Sequence, residues 1–463
     1  MIFFSMSIRH RFLPFLVLCS LLFSGAGCGT SKAEQEAEKP VKLKVWRVFD
    51  EENTLKPVMD AYQKIHPNVS FEYRILRSDE YENELIRAFA TGTGPDIFSI
   101  HNTWVNAYKD LIFPLPETLK IPYSEMKGTI KKEKVTTVRE EKTITPRQVK
   151  DQFVDAVAED VVQEYQSNPK ENPKPTIFGL PLSVDTLALF YNKDLLNTVG
   201  IAEPPKTWKD FQDQTKKLTR FDNTNKIIQS GAAIGTSKNV ERAFDILSVL
   251  MMQNGTTMAD NGHATFATET DGTFPGTDAL RFYTDFANPT KEVYSWNTEQ
   301  TGSFQAFASG KTAFFLGYSY HIPLLKAQAP KLNMSVTTIP QIISDGRIVN
   351  YANYWVETVA KASKNTKWAW DFIQFVTGEK QVPLYLDEAK KPTARRSLII
   401  KQMEDEDINV FVGQLLTAKS WYRGKDMTVV EQIFNQMIDD TLAGTEKLED
   451  ILKQAQTKVN QTY

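Results

Sequence analysis

Near the start of the chain, segments with strand character alternate with segments with helix character. KLKVWRV at 42–48 alternates in polarity and is rich in valine, and residues 69–75 and 96–100 also have strand character. Residues 54–66 place apolar side chains at helical spacing, and a second amphipathic stretch precedes the third strand. This alternation predicts an α/β fold with a largely parallel sheet.

A second α/β segment begins near residue 176. TLALFYN at 186–192 predicts a strand, and Thr207 with Asp210 has the spacing of a capping box that opens a helix. Thr428 and Glu431 have the same spacing and predict the start of another helix near the carboxyl terminus.

The stretch between these two segments has a different composition. Residues 124–147 are strongly charged, with short Val/Thr alternations. We expect an inserted, exposed hairpin or loop there, followed by a helix over 148–165.

The 463-residue chain has two cysteines, Cys19 and Cys28, and both precede the folded part. Once the amino-terminal segment is removed, no internal disulfide can form. The stability of the body must therefore come from a large hydrophobic core, and its length predicts two or more lobes.

The amino terminus has the order of a secretory signal: Arg9 and Arg11, an apolar run over 12–23, and small residues before Cys28. Twelve helical residues cover about 18 Å, too little for a bilayer core of about 30 Å. The segment resembles a bacterial lipoprotein signal, whose cleavage leaves the cysteine that receives the lipid. We therefore expect a signal peptide over 1–27, lipidation at Cys28 and a flexible tether over 28–40; the alternative is an ordinary secreted protein with an incidental cysteine.

Charge and motifs exclude several classes of function. The net charge is −3 and the basic residues are dispersed, so no nucleic-acid partner is expected. The chain has no phosphate-binding GxxxxGK[ST] loop, no HExxH and no CxxC pair, and its five histidines are scattered. We therefore expect no metal, no cofactor and no catalytic residues.

Candidate binding residues follow from the rule that open α/β sheets bind ligands beyond the carboxyl ends of their strands. Aromatic, carboxylate and amide side chains follow predicted strands at Asp50, Glu51, Asn102, Trp104, Tyr318 and Tyr320. Asp185 and Trp355 precede predicted strands, and Trp421 lies in a polar link between carboxyl-terminal helices. Aromatic rings stack on the apolar faces of sugars, and carboxylates and amides bond sugar hydroxyls, so the set predicts a neutral polyhydroxylated ligand. Each residue also has a structural alternative, such as a helix-capping acid, a turn carboxylate or an aromatic ring that packs between lobes.

Several motifs resemble those of the extracellular solute-binding proteins of ABC importers, in the branch that takes up sugars and oligosaccharides. The most specific is FGLPLSVDTLALFYNKDLLNTVGIAEPPKTWKDF, and LKVWRVFDEENTLKPVMDAYQKIHPNVSFEY and AFASGKTAFFLGYSYHI are similar to further elements of that family. The matches extend from about residue 42 to 461, nearly the whole body of the chain.

The resemblance implies a periplasmic-binding-protein-like fold, in which two α/β lobes joined by crossing segments enclose a ligand cleft. The expected amino-terminal lobe comprises 41–176 and 340–393, and the carboxyl-terminal lobe comprises 177–339 and 394–463. By family position, the residues that would face the cleft are Asp50, Trp104, Asp185, Tyr318 and Trp421.

The resemblance implies that the chain captures a sugar or oligosaccharide outside the cell and delivers it to permease subunits in the membrane. We expect a monomer that a lipid holds to the outer face of the membrane. Three alternatives stay open. The ligand could be a peptide, polyamine or chelate; the chain could be a secreted glycoside hydrolase using Asp50 and Asp185; or it could be a surface adhesin or sensor.

Overall fold

The structure, a computed structural model, describes residues 39–129, 132–270, 272–342 and 346–463. The predicted signal peptide, the lipidation site at Cys28 and nearly all of the predicted tether lie outside the described residues.

The strands of the described chain are β1 (Val41–Val48), β2 (Val69–Leu76), β3 (Ile97–His101), β4 (Thr118–Lys127), β5 (Glu133–Lys142), β6 (Val162–Tyr165), β7 (Lys174–Ile177), β8 (Asp185–Thr186), β9 (Ala188–Asn192), β10 (Arg220–Phe221), β11 (Ile227–Ala232), β12 (Ala259–Asp260), β13 (His263–Ala264), β14 (Thr312–Gly317), β15 (Met334–Thr338), β16 (Asn350–Asn353), β17 (Trp355–Val359) and β18 (Ala418–Lys419).

The α-helices are α1 (Glu52–Ile65), α2 (Ser78–Ala90), α3 (Pro146–Gln152), α4 (Asp155–Val161), α5 (Lys193–Thr198), α6 (Trp208–Leu218), α7 (Ala243–Gln253), α8 (Pro275–Asp285), α9 (Ser303–Ala308), α10 (His321–Gln328), α11 (Thr366–Val376), α12 (Val382–Ala389), α13 (Ile399–Gln402), α14 (Asn409–Gln414), α15 (Met427–Ala443) and α16 (Leu448–Asn460).

Two sheets dominate the structure. The first has the order β17-β3-β1-β2, in which β1 is parallel to β2 and β3, and β17 is antiparallel to β3. The second has the order β10-β11-β14-β9-β15, with β11 parallel to β14 and the other pairs antiparallel. Helices cover these sheets, because their buried faces carry the apolar residues expected from the sequence, such as Leu55, Val58, Met59 and Tyr62 on α1.

Each sheet belongs to its own hydrophobic core. One core draws on residues 41–184 and 352–418, which we call the first lobe. The main core around the second sheet draws on residues 187–351 and 421–459, which we call the second lobe. The chain therefore changes core at 184–187, 351–352 and 418–421, whereas the sequence prediction placed the changes at 176/177, 339/340 and 393/394.

The three crossings are hydrogen-bonded to one another. They form a small sheet with the order β18-β16-β8, in which β16 is parallel to β18 and antiparallel to β8. The predicted strand over 186–192 is interrupted for this reason: β8 belongs to the crossing sheet, whereas β9 belongs to the sheet of the second lobe.

The charged stretch forms a hairpin, β4–β5, longer at its amino-terminal end than the predicted 124–147. Its strands pair from Thr118↔Lys142 to Lys127↔Glu133. The predicted helix over 148–165 is wrong as a single element, because Phe153 and Val154 adopt extended backbone between α3 and α4, and β6 follows. Phe153 is fully buried, so tertiary packing overrides the helical periodicity there.

Helix starts were predicted with mixed success. Thr207 and Asp210 form the predicted capping box of α6. At α15 the prediction was wrong, because Asp426, two residues before Thr428, is the N-cap and accepts from the backbone N–H of Val429.

Candidate functional site

Four aromatic side chains meet at the carboxyl-terminal edge of the first sheet. Phe49 follows β1, His101 ends β3, Trp104 follows it, and Trp355 begins the antiparallel β17 directly opposite His101. The Trp355 ring lies at centroid distances of 5.7 Å from Phe49, 5.7 Å from Trp104 and 5.9 Å from His101, each edge to face. We call these four residues the aromatic wall. Trp104 packs against the cores of both lobes, so the wall lies where the lobes meet.

Phe49 is the most exposed member of the wall. Its side chain is 62% accessible, and its backbone is left-handed, with φ of 71°. A non-glycine residue in this region costs roughly 1–2 kcal/mol, and such residues concentrate at functional sites. The local conformation therefore presents an apolar ring to solvent at an energetic cost, which is the pattern expected of a ligand-contacting residue.

A buried polar cluster of the second lobe lies next to the wall. Asp245 is fully buried and accepts two hydrogen bonds from Arg242, at 2.8 and 2.9 Å, and one from the Tyr318 hydroxyl, at 2.6 Å. Asn353 donates to Asp245 at 3.3 Å, and its side-chain oxygen lies 3.3 Å from His101 Nε2. Burial lowers the pKa of His101 to about 4, so the ring is neutral at neutral pH. Asn353 thus connects the neutral His101 ring of the first lobe to the Asp245–Arg242 ion pair of the second lobe.

Asp185 lies beside Asn353, its partner in the β8–β16 pair. Its carboxylate accepts from the Ser319 hydroxyl at 2.7 Å, from the Ser319 N–H at 3.0 Å and from the Thr186 N–H at 2.9 Å. Burial raises the pKa of Asp185 to about 6, although these hydrogen bonds act in the opposite direction. The next residue after Ser319 is Tyr320, 42% exposed, whose ring stacks on Tyr318.

The aromatic wall, Asn353, Asp185 and Tyr320 together form what we call the inter-lobe site. It brings together four of the predicted residues: Trp104, Asp185, Tyr320 and Trp355. The arrangement combines aromatic ring surface with carboxylate, amide and hydroxyl groups, which suits a ligand with apolar faces and many hydroxyls.

Asp50 lies at the predicted strand end, but its carboxylate is already bound by other side chains of the protein. It is 7% exposed and receives Lys391 Nζ at 2.6 Å, the Tyr385 hydroxyl at 2.9 Å and Arg47 Nη2 at 3.0 Å. Burial alone would raise its pKa, but Arg47 and Lys391 outweigh burial and hold the pKa of Asp50 below its usual value. Asp50 therefore fixes the loop that carries Phe49. Glu51 is exposed and makes no side-chain capping bond at the start of α1.

Three predicted residues are buried instead of facing an open site. Asn102 is 3% exposed and donates to Asp160 at 2.8 Å. Tyr318 is fully buried on Asp245, and Trp421 is 4% exposed, with its indole N–H donating to the Ser248 hydroxyl at 3.0 Å. No ring face of Tyr318 or Trp421 is open to a ligand in this structure.

The sequence reasoning did not select five residues that the structure places at or beside the site: Phe49, His101, Arg242, Asp245 and Asn353. Phe49 and His101 stand at the same strand ends as the selected residues and could have been included. Asp245 also had a signal, because it is an acid within α7, whose other residues are almost all apolar. Asn353 had none, because its neighbours come from distant parts of the chain.

Two cavities lie elsewhere. One, of 260 Å³, is in the first lobe under the β4–β5 hairpin, and the other, of 690 Å³, is in the second lobe near α8 and α15. Within the described residues, no three His, Cys, Asp or Glu side chains are grouped to hold a metal ion. No helix in the described part of the chain is long and apolar enough to cross a bilayer.

Sequence comparison connects the chain to a known group. The model of a family described as bacterial extracellular solute-binding protein matches residues 58–389. The galactooligosaccharide-binding protein of Bacillus subtilis (strain 168) is 22% identical over 400 residues, which cover 83% of this chain and 80% of that protein.

Solved structures share the fold. A cyclo/maltodextrin-binding protein complexed with maltotetraose superposes with a TM-score of 0.67 at 18% identity, covering 91% of this chain and 97% of its own. An ABC substrate-binding protein from Listeria monocytogenes in complex with cycloalternan gives 0.67 at 16% identity, covering 92% and 99%. The predicted two-lobed α/β, periplasmic-binding-protein-like fold is confirmed.

Proposed function

We propose that this chain, which belongs to the bacterial extracellular solute-binding protein family, is the substrate-binding component of an ABC transporter. It captures a sugar or oligosaccharide outside the cell and delivers it to permease subunits in the membrane. The family is one of exported binding proteins, and several relatives are described as binding oligosaccharides, among them the galactooligosaccharide-binding protein of Bacillus subtilis.

The observation that carries the proposal is the aromatic wall. Trp355 and Phe49 offer ring surface beside Asn353 and Asp185, and stacking on a sugar contributes about 1 kcal/mol per ring beyond the area buried. Hydrogen bonds to sugar hydroxyls contribute about 1 kcal/mol each. A micromolar dissociation constant requires about 8 kcal/mol, which a few stacks, several hydrogen bonds and the buried area supply together.

The proposed mechanism contains no chemical step. The two lobes exchange between open and closed arrangements, and the ligand stabilises the closed one by contacting both lobes at once. The paired-carboxylate alternative gains no support from Asp50, because Lys391, Arg47 and Tyr385 already occupy it and hold it ionised. We therefore propose that the chain is not an enzyme.

A thermal-shift screen tests the ligand class. A ligand at about 100 times its dissociation constant should raise the unfolding free energy by about 2.7 kcal/mol. We expect malto- or galactooligosaccharides, or a monosaccharide, to raise the unfolding temperature of the purified chain, while peptides and polyamines leave it unchanged. Stabilisation by a peptide, polyamine or chelate with no response to any sugar would contradict the sugar proposal.

We further propose that Cys28 carries the lipid that holds the protein to the outer face of the membrane. Cys28→Ala should move the protein from the membrane fraction to the medium or periplasm, because no other attachment is expected. Its ligand-induced thermal shift should equal that of the wild type, since the tether is separate from the inter-lobe site. If the mutant protein stays with the membranes, this part of the proposal fails.

A further inference from the structure

The 260 Å³ cavity in the first lobe lies away from the inter-lobe site, between the β4–β5 hairpin and helices α1 and α11. Its lining comprises Tyr62, Ile65, His66, Leu119, Ile121, Tyr123, Arg139, Glu141, Lys142, Asp371, Gln374 and Phe375. Its volume is below the range of about 300–1,000 Å³ typical of pockets for drug-sized ligands, so its occupant must be smaller than an oligosaccharide.

Asp371 is a largely buried carboxylate in this cavity. Its side chain is 15% exposed, and the Tyr62 hydroxyl donates to it at 2.6 Å. His66 Nε2 lies 3.5 Å away, but burial lowers the pKa of His66 to about 4, so this ring supplies no positive charge at neutral pH. Within the described residues, no lysine or arginine forms an ion pair with Asp371.

Two basic side chains line the cavity, Arg139 and Lys142, and neither forms an ion pair with Asp371 among the residues that the structure describes. Arg139 forms an ion pair with Glu125, and its guanidinium lies over the Tyr123 ring, 4.6 Å from the centroid. Lys142 is exposed. Burial, together with the like charge of Glu141, raises the pKa of Asp371 to about 6, although the Tyr62 hydrogen bond opposes this. At neutral pH the carboxylate therefore carries a largely uncompensated negative charge.

Four aromatic side chains line the cavity together with Asp371: Tyr62, His66, Tyr123 and Phe375. The Tyr62 ring centroid is 5.2 Å from that of Phe375 and 4.7 Å from that of His66, and the His66 centroid is 4.8 Å from that of Tyr123. Ring faces attract a cation through their quadrupole and also bury its alkyl groups. An acid within a group of rings selects a cation with apolar substituents over a strongly hydrated inorganic ion.

We propose that this cavity is a second ligand site, which binds a small organic ammonium ion with Asp371 as its counter-ion. The site is separate from the inter-lobe site and does not depend on the identity of the transported solute. Because Tyr123, Arg139 and Glu141 come from the hairpin, the charged stretch at 118–142 supplies one wall of the site.

The proposal is tested on the purified full chain with choline chloride as the probe. The chain has five histidines, so the ring signals of His66 can be followed individually by NMR. We expect choline to shift the His66 ring signals in a saturable manner while those of the exposed His263 in the second lobe stay unchanged. The uncharged isostere of choline, 3,3-dimethylbutan-1-ol, should bind at least about tenfold more weakly than choline, and so should the potassium ion.

Asp371→Asn keeps the shape of the side chain and removes its charge, so choline affinity should fall about tenfold or more. The rise in unfolding temperature caused by the inter-lobe ligand should stay the same as in the wild type. Tyr123→Leu tests the ring independently, should the first variant fold poorly, and should also weaken choline binding. No saturable shift, equal binding of choline and its isostere, tighter binding of potassium, or unchanged affinity in a folded Asp371→Asn protein would each overturn the proposal.

Discussion

Replacing Trp355 with alanine should weaken binding of the ligand at the inter-lobe site by about a hundredfold, equivalent to about 2.7 kcal/mol. Trp355 contacts the other three rings of the aromatic wall, so its loss removes a stacking surface and the support of Phe49 and Trp104. Phe49→Ala removes one exposed ring only and should weaken binding by about tenfold. Isothermal titration with the sugar identified by the thermal-shift screen measures both changes.

Phe221 provides a matched control, because it is also a partly exposed aromatic residue. It is 42% exposed and stacks on Tyr294 in the second lobe, outside the inter-lobe site. Phe221→Ala should leave the sugar affinity unchanged, and Trp355→Phe should retain most of it. Wild-type affinity in Trp355→Ala would show that the aromatic wall does not bind the ligand.

Replacing Asp160 with alanine should lower the unfolding free energy by about 3–5 kcal/mol, because it removes one partner of a buried ionic cluster. Asp160 is 1% exposed and accepts from Tyr354 at 2.7 Å, from Asn102 at 2.8 Å and from Ser420 at 2.6 Å. Arg423 also pairs with it, at 3.1 Å. The substitution leaves the buried Asn102 and Ser420 donors without this acceptor, whereas Tyr354 keeps Ala156 O and Arg423 keeps Glu159.

Urea denaturation measures this effect, and Asp155 on the same helix α4 is the control. Asp155 pairs with Arg396, but its side chain is 54% exposed, so Asp155→Ala should cost less than about 1 kcal/mol. Similar unfolding midpoints for the two variants would contradict the assigned role of Asp160. Because Tyr354 and Ser420 adjoin crossing strands, the Asp160 variant should also alter the exchange between open and closed lobes.

The sequence predicted the first sheet well, because its parallel strands are short segments rich in β-branched and aromatic residues, separated by clear amphipathic helices. β1, β2 and β3 lie within one residue of their predicted ends. Prediction of helix starts was weaker where two nearby residues can serve as the N-cap. Asp426 and Thr428 are both good capping residues, and the local sequence does not determine which of them caps α15. At 148–165, the helical periodicity correctly indicated helical structure in α3 and α4. The burial of Phe153 between them interrupts the helix, and the local sequence did not predict that interruption.

The residues of the candidate inter-lobe site were selected from the sequence where they lie at strand ends and were not selected where their placement depends on partners distant in sequence. Trp104 was selected because it follows the predicted strand at 96–100, and Trp355 because it precedes another predicted strand. Asp245, by contrast, is held by Tyr318, 73 residues away, and by Asn353, 108 residues away, and no local pattern encodes such a meeting. Trp421 stands in a polar link, but Phe244 and Phe434 enclose it in the second core.

The crossing sheet limits how the two halves of the molecule can move. A single connecting segment would permit twisting and sliding. β8, β16 and β18 are instead hydrogen-bonded side by side, and we expect them to bend together as one strip. We expect the relative movement to have essentially one rotational degree of freedom, about an axis along that strip. A solute would then enter and leave from the side opposite the strip, and the separation of two labels placed on that side would report the whole motion.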